Sequence, residues 1–125
     1  SLAPLLAGRG AGWPRERGIL TSFESGHEKN TTSESCAFDA IRTLAFSYVV
    51  HSAVPDHGTG ICEPADEREL YDLRTDPFQL QNLDGDRRPG VRPVKLGLAI
   101  RLAALRRCAG VEGRDDRVAD RPFCE

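Results

Sequence analysis

Four cysteines, Cys36, Cys62, Cys108 and Cys124, and three histidines, His27, His51 and His57, are the side chains here best suited to covalent or metal chemistry. Zinc and dithiol redox sites gather such residues in short C-x-x-C pairs. No C-x-x-C occurs, and the histidines are scattered. The acidic pairs Asp84-Gly85-Asp86 and Asp115-Asp116 lack the spacing of a calcium loop. No G-x-S-x-G, P-loop or dinucleotide fingerprint is present. An even set of widely spaced cysteines reads as two disulfides, in an exported or lumenal compartment; the competing reading is four buried thiols. Three pairings are possible. Cys36–Cys62 and Cys108–Cys124 are favoured because each closes a short local loop, worth about 3 kcal/mol if unstrained.

A small fold must position these residues. With 125 residues, 39% of them hydrophobic, the chain is sized for one domain or subdomain with a modest core. Eight prolines and twelve glycines imply much loop. A net charge of −2 makes no global case for nucleic acid or an anionic membrane. The apolar runs fall far short of the roughly 20 residues of a membrane span. The apolar start, Ser1-Leu2-Ala3-Pro4-Leu5-Leu6, has no basic n-region and no initiator Met, and reads as a cut within a longer reading frame.

Ile19–Phe23 is β-branched and aromatic and precedes a polar run, so a strand is expected. Residues 24–35 form a polar loop with His27 and the sequon Asn30-Thr31-Thr32. Phe38–Thr43 and Ser47–His51 read as a hairpin joined through Leu44-Ala45-Phe46. Residues 55–66 read as a second loop, and Glu69–Leu73 as the last strand. That strand stops at Arg74-Thr75-Asp76-Pro77, because Pro77 has no N–H to give and biases Asp76 away from helix. No crossover helix fits between the strands, so antiparallel pairing is expected.

One helix is expected from Pro93, with Val94, Leu98, Leu102 and Leu105 as its apolar stripe, widened by Leu96, Ile100 and Ala103. Arg101, Arg106 and Arg107 stand towards its C-terminal end as a solvated basic face, and Gly110 serves as the stop. The residues beyond Gly110 read as irregular. The expected class is α+β: a small antiparallel sheet with one C-terminal helix packed on it.

Glu69-Leu70-Tyr71-Asp72-Leu73-Arg74-Thr75-Asp76-Pro77-Phe78-Gln79-Leu80-Gln81-Asn82-Leu83 resembles the "LYDLxxDPxExxNL" segment near the C-terminus of type I sulfatases. Its neighbours keep the family's order. The segment from Ser1 to Gly8 is similar to "SLLPLLxG", and Trp13 with Ile19 to Glu24 to the strand that follows. Ala40-Ile41-Arg42-Thr43 with Tyr48-Val49 resembles "aVRTxxxKYV", and Leu102 to Gly110 resembles "LxxLxxCxG". The cysteine placement is most similar to the N-acetylglucosamine-6-sulfatase group. That group's compact C-x-G-x-x-C is stretched here, with Cys124 far downstream of Cys108.

The resemblance implies that residues 1–125 are a sulfatase C-terminal subdomain without its alkaline-phosphatase-like N-terminal catalytic domain. The implied activity of the whole is hydrolysis of sulfate esters, notably the 6-sulfate of N-acetylglucosamine in glycosaminoglycans. The implied nucleophile is a formylglycine in a C/S-x-P-x-R motif, beside a calcium ion held by Asp and Asn; both are expected in the missing domain. Cys62-Glu63-Pro64-Ala65-Asp66 misses that motif by its last residue, so Cys62 reads as a half-cystine. The chain by itself is expected to be inactive, with no metal site.

The loop after the first C-terminal strand lies near the cleft in related sulfatases, which makes Glu24 and His27 candidate substrate contacts; a solvated loop is the competing reading. Arg42 reads as an anion contact or a strand-edge salt bridge. The implied partners are the catalytic domain and a sulfated glycan. The alternative function is a free-standing, disulfide-stabilised binding module for sulfated glycans.

Overall fold

Leu20, Ile41, Tyr48 and Leu70 stand one in each of four successive strand segments, so pairing those strands in register aligns one apolar row. The computed structural model, which describes residues 7–8, 17–23 and 36–124, shows that row. Strands β1 (Ile19–Phe23), β2 (Phe38–Arg42), β3 (Phe46–Pro55) and β4 (Cys62–Asp72) form an antiparallel sheet in sequence order. Leu20 pairs with Ile41, Ile41 with Tyr48, and Tyr48 with Leu70. Helix α1 (Val91–Leu105) lays Leu98 and Leu102 on this row and completes the core. The result is the α+β arrangement expected from the sequence. Each fully buried side chain of this size contributes roughly 1.5–3 kcal/mol. Just before β1 the backbone passes directly over Ile41: a Cβ on Gly18 would lie 2.6 Å from Ile41 Cδ1.

The β2–β3 turn is tighter than expected. Thr43 Oγ1 accepts the Phe46 N–H at 2.9 Å and the Ala45 N–H at 3.2 Å. Phe46 thereby joins β3, and Leu44 is left outside the sheet.

The expected loop over residues 55–66 is corrected to Asp56–Ile61, with β3 and β4 continuing to Pro55 and Cys62. Asp56 closes this turn by accepting the N–H groups of Gly58 and Thr59. Residues 62–68 carry charge and a proline, so their strand state comes from pairing with β3 rather than from propensity. Pro64 is tolerated because β4 is an edge strand and the register shifts between His51 and Ala53.

Cys36 and Cys62 form a disulfide tying the residue before β2's neighbour Ala37 to the first residue of β4. Cys108 and Cys124 form the other, which folds the C-terminal segment back past the end of α1.

Helix α1 begins at Val91, two residues before the expected start, with Gly90 at φ 96° as its N-cap. Pro93 still lies in the first turn, where its missing N–H costs no intrahelical bond. The expectation that Leu96 and Ile100 widen the buried stripe is corrected: they are 60% and 62% exposed. They stand one turn apart on the face turned away from the buried Leu98 and Leu102. Gly110 is not the stop either. The helix ends at Leu105 with Arg106 as C-cap, and Gly110 accepts the Cys124 N–H at 2.9 Å.

Candidate functional site

Glu24 and His27, the expected substrate contacts, lie outside the described residues, as does the Asn30 sequon. Cys62 is disulfide-bonded and has no thiol to offer as a nucleophile. Among the described residues no three His, Cys, Asp or Glu side chains gather as metal ligands. Three of the four acidic loop residues are engaged with cations: Asp84 with Lys95, Asp86 with Arg88, and Asp115 with Arg114. These residues do not fit a calcium ion or a formylglycine.

The segment Glu69–Leu83 is a brace. Asp72 takes Arg74 on both carboxylate oxygens, at 2.8 and 2.6 Å, while the guanidinium lies 4.9 Å from the Phe46 ring centroid. Arg74's hydrogen bond holds the Asp72 carboxyl below its ordinary range. Beyond Pro77, Asp76 accepts the N–H groups of Leu80 at 3.0 Å and Gln81 at 2.9 Å, which hold its carboxyl low too. The chain bends through Gln79 at φ 57°. Asn82 then reaches the free edge of β4: its Oδ1 accepts the Leu70 N–H at 3.0 Å, and its Nδ2 donates to the Arg68 carbonyl at 3.1 Å. Leu83 N–H donates to the Leu70 carbonyl at 2.8 Å. An edge that could pair with another chain is blocked by this loop.

The sheet face opposite α1 carries a row of polar and aromatic groups. His51 Nε2 lies 3.0 Å from Glu69 Oε1, and the Tyr71 hydroxyl donates to Glu69 Oε2 at 2.9 Å. Burial, then the hydrogen bond and charge of Glu69, push the Tyr71 hydroxyl up to about 12. Tyr71 is therefore held protonated, and the row is a cross-strand clip rather than a nucleophile with its base. Phe38 packs against His51 and stacks on Phe23, whose ring is exposed together with Ile19. Arg42 is exposed on the same face.

A cleft of about 860 Å³ opens between α1, the strands β3 and β4, and the loop Asp84–Arg87. Tyr48, Val50 and Arg68 form one wall, and Arg92, Lys95, Ala99 and Arg106 form the other. Sequence reasoning missed it. The signal was there in Arg92, Lys95, Ala99 and Arg106, whose spacing places basic and small residues along one flank of a helix.

No family model and no curated protein sequence matches the chain. Solved structures do. The structure of BT4656 in complex with its substrate D-glucosamine-2-N,6-O-disulfate matches with a TM-score of 0.57 and 20% identity, over 85% of this chain and 19% of that one. The phosphonate monoester hydrolase of Agrobacterium radiobacter matches with a TM-score of 0.51 and 26% identity, over 85% of this chain and 20% of that one. By fold, then, this chain resembles a part of each of these two larger proteins, and it spans about a fifth of the chains it matches.

Proposed function

We propose that this chain is the C-terminal subdomain of an exported sulfatase-type hydrolase acting on the 6-sulfate of N-acetylglucosamine in glycosaminoglycans. The observation that carries the reading is the overlay of 85% of this chain on 19% of an enzyme chain solved with a 6-O-sulfated glucosamine substrate. The family words quoted above, in order along the chain, point the same way. The two disulfides support an oxidising compartment.

In this reading the catalytic domain supplies the formylglycine and calcium, and this chain supports it. Exposed Ile19 and Phe23 on the sheet, Phe78 and Leu80 on the brace, and Leu96 and Ile100 on α1 are the apolar groups available for that contact. Glu24 and His27 border the substrate cleft and bind the sugar or its sulfate.

The test is complementation. The sequence encoded upstream of Ser1, produced without residues 1–125, regains release of sulfate from N-acetylglucosamine 6-sulfate when this chain is fused to it. A fused protein that is folded and releases no sulfate from a 6-sulfated sugar overturns the reading.

A further inference from the structure

The cleft beside α1 holds more cation than its carboxylates match. Four of the basic residues in and around it are paired: Arg68 with Asp66, Arg88 with Asp86, Lys95 with Asp84, and Arg106 with Asp39. Arg87 and Arg92, both exposed and both lining the cleft, have no carboxylate partner among the described residues. This local excess stands out in a chain of net charge −2.

The second observation is inside the cleft. Tyr48 is 3% exposed and lines the wall, yet its hydroxyl makes no hydrogen bond to a described residue. A tyrosine hydroxyl on the cleft wall brings one donor and an acceptor to a ligand there. Burial raises its pKa, and Arg68 and Lys95 are close enough to pull it the other way, so the hydroxyl stays protonated among cations.

Val50, Val91 and Ala99 supply apolar lining between the charged groups. A volume of about 860 Å³ is far more than a bare ion fills and matches a ligand with an organic body. Guanidinium forks suit the oxygens of a tetrahedral oxyanion.

We propose that this cleft binds a sulfate or phosphate ester carried on a sugar-sized organic body. The ester oxygens are taken by Arg87, Arg92 and the Tyr48 hydroxyl, and the apolar face of the body rests against Val50 and Ala99. The site lies wholly within this chain and does not depend on a catalytic partner.

The experiment is titration of the 125-residue chain with glucose 6-sulfate, glucose 6-phosphate, glucose and inorganic sulfate, followed by calorimetry and by amide chemical shifts. Either ester is expected to bind roughly tenfold or more tightly than both glucose and inorganic sulfate. The tighter of the two esters identifies the natural oxyanion. Shift changes are expected at Arg87, Arg92 and Lys95. The double variant Arg87→Ala/Arg92→Ala is expected to weaken ester binding roughly tenfold or more. Tyr48→Phe, which keeps the ring in the core, weakens it several-fold with an unchanged unfolding midpoint. Ester binding that equals that of inorganic sulfate, or that survives both variants unchanged, overturns the proposal. So does binding whose shift changes fall outside the cleft.

Discussion

Asn82 Oδ1 accepts the backbone N–H of Leu70 at 3.0 Å, so a loop side chain stands where the next strand of the sheet would be. Leu70 is almost fully buried, and its N–H has no water to fall back on. Asn82→Ala leaves it unpaired and removes the bond to the Arg68 carbonyl as well. The expected loss is about 2–3 kcal/mol in urea unfolding. Asn82→Asp keeps an acceptor for Leu70 and loses only the donor, so it is expected to fall between the two.

The two faces of α1 separate sharply under truncation. Leu98 is buried in the core, and Leu98→Ala is expected to cost about 2–5 kcal/mol. Leu96→Ala, two residues away, is expected to change stability by less than about 0.5 kcal/mol in the isolated chain. Unfolding curves of the two variants check this directly. Equal losses would show that Leu96 is packed.

Stability falls at high pH through Tyr71. Its hydroxyl is raised from 10.0 to about 12 in the folded chain, so the folded form holds its proton more tightly than the unfolded form does. That contribution is fully present below pH 10.0 and is lost as the pH rises through about 12. Spectrophotometric titration of Glu69→Gln is expected to show Tyr71 ionising at lower pH, because the carboxylate no longer opposes it.

At low pH the sign reverses. Asp72 and Asp76 are held below the ordinary 3.8 by Arg74 and by the Leu80 and Gln81 N–H groups. Their contribution is present above that value and is lost as the pH falls through the lower folded values. The unfolding midpoint is expected to drop below about pH 4, with a shallower drop in Asp76→Asn. A midpoint independent of pH in that range contradicts the brace.

Much of this was legible in the sequence, for reasons that particular residues show. Ile19–Phe23 is a strand by local composition, and Leu98 and Leu102 declare the buried side of α1 by spacing. The stretch Cys62–Arg68 was not legible as strand. Its residues do not favour β structure, and only its pairing with β3 and its tie to Cys36 impose it. Leu96 and Ile100 misled because hydrophobicity marks an apolar face without saying what covers it. The Tyr48 hydroxyl escaped notice because its place on a cleft wall is a fact of three dimensions. The word spanning Glu69–Leu83 was readable as a family mark, but its physical sense, an edge strand braced by Asp76 and Asn82, exists only in the folded chain.

The most direct measurement is sulfate release from N-acetylglucosamine 6-sulfate by the 125-residue chain alone, set beside the same chain joined to the sequence encoded upstream. No release by the chain alone, with release by the joined protein, is the expected result. Release by the isolated chain above a Cys62→Ala control would contradict the assignment of this chain as the supporting rather than the cleaving part.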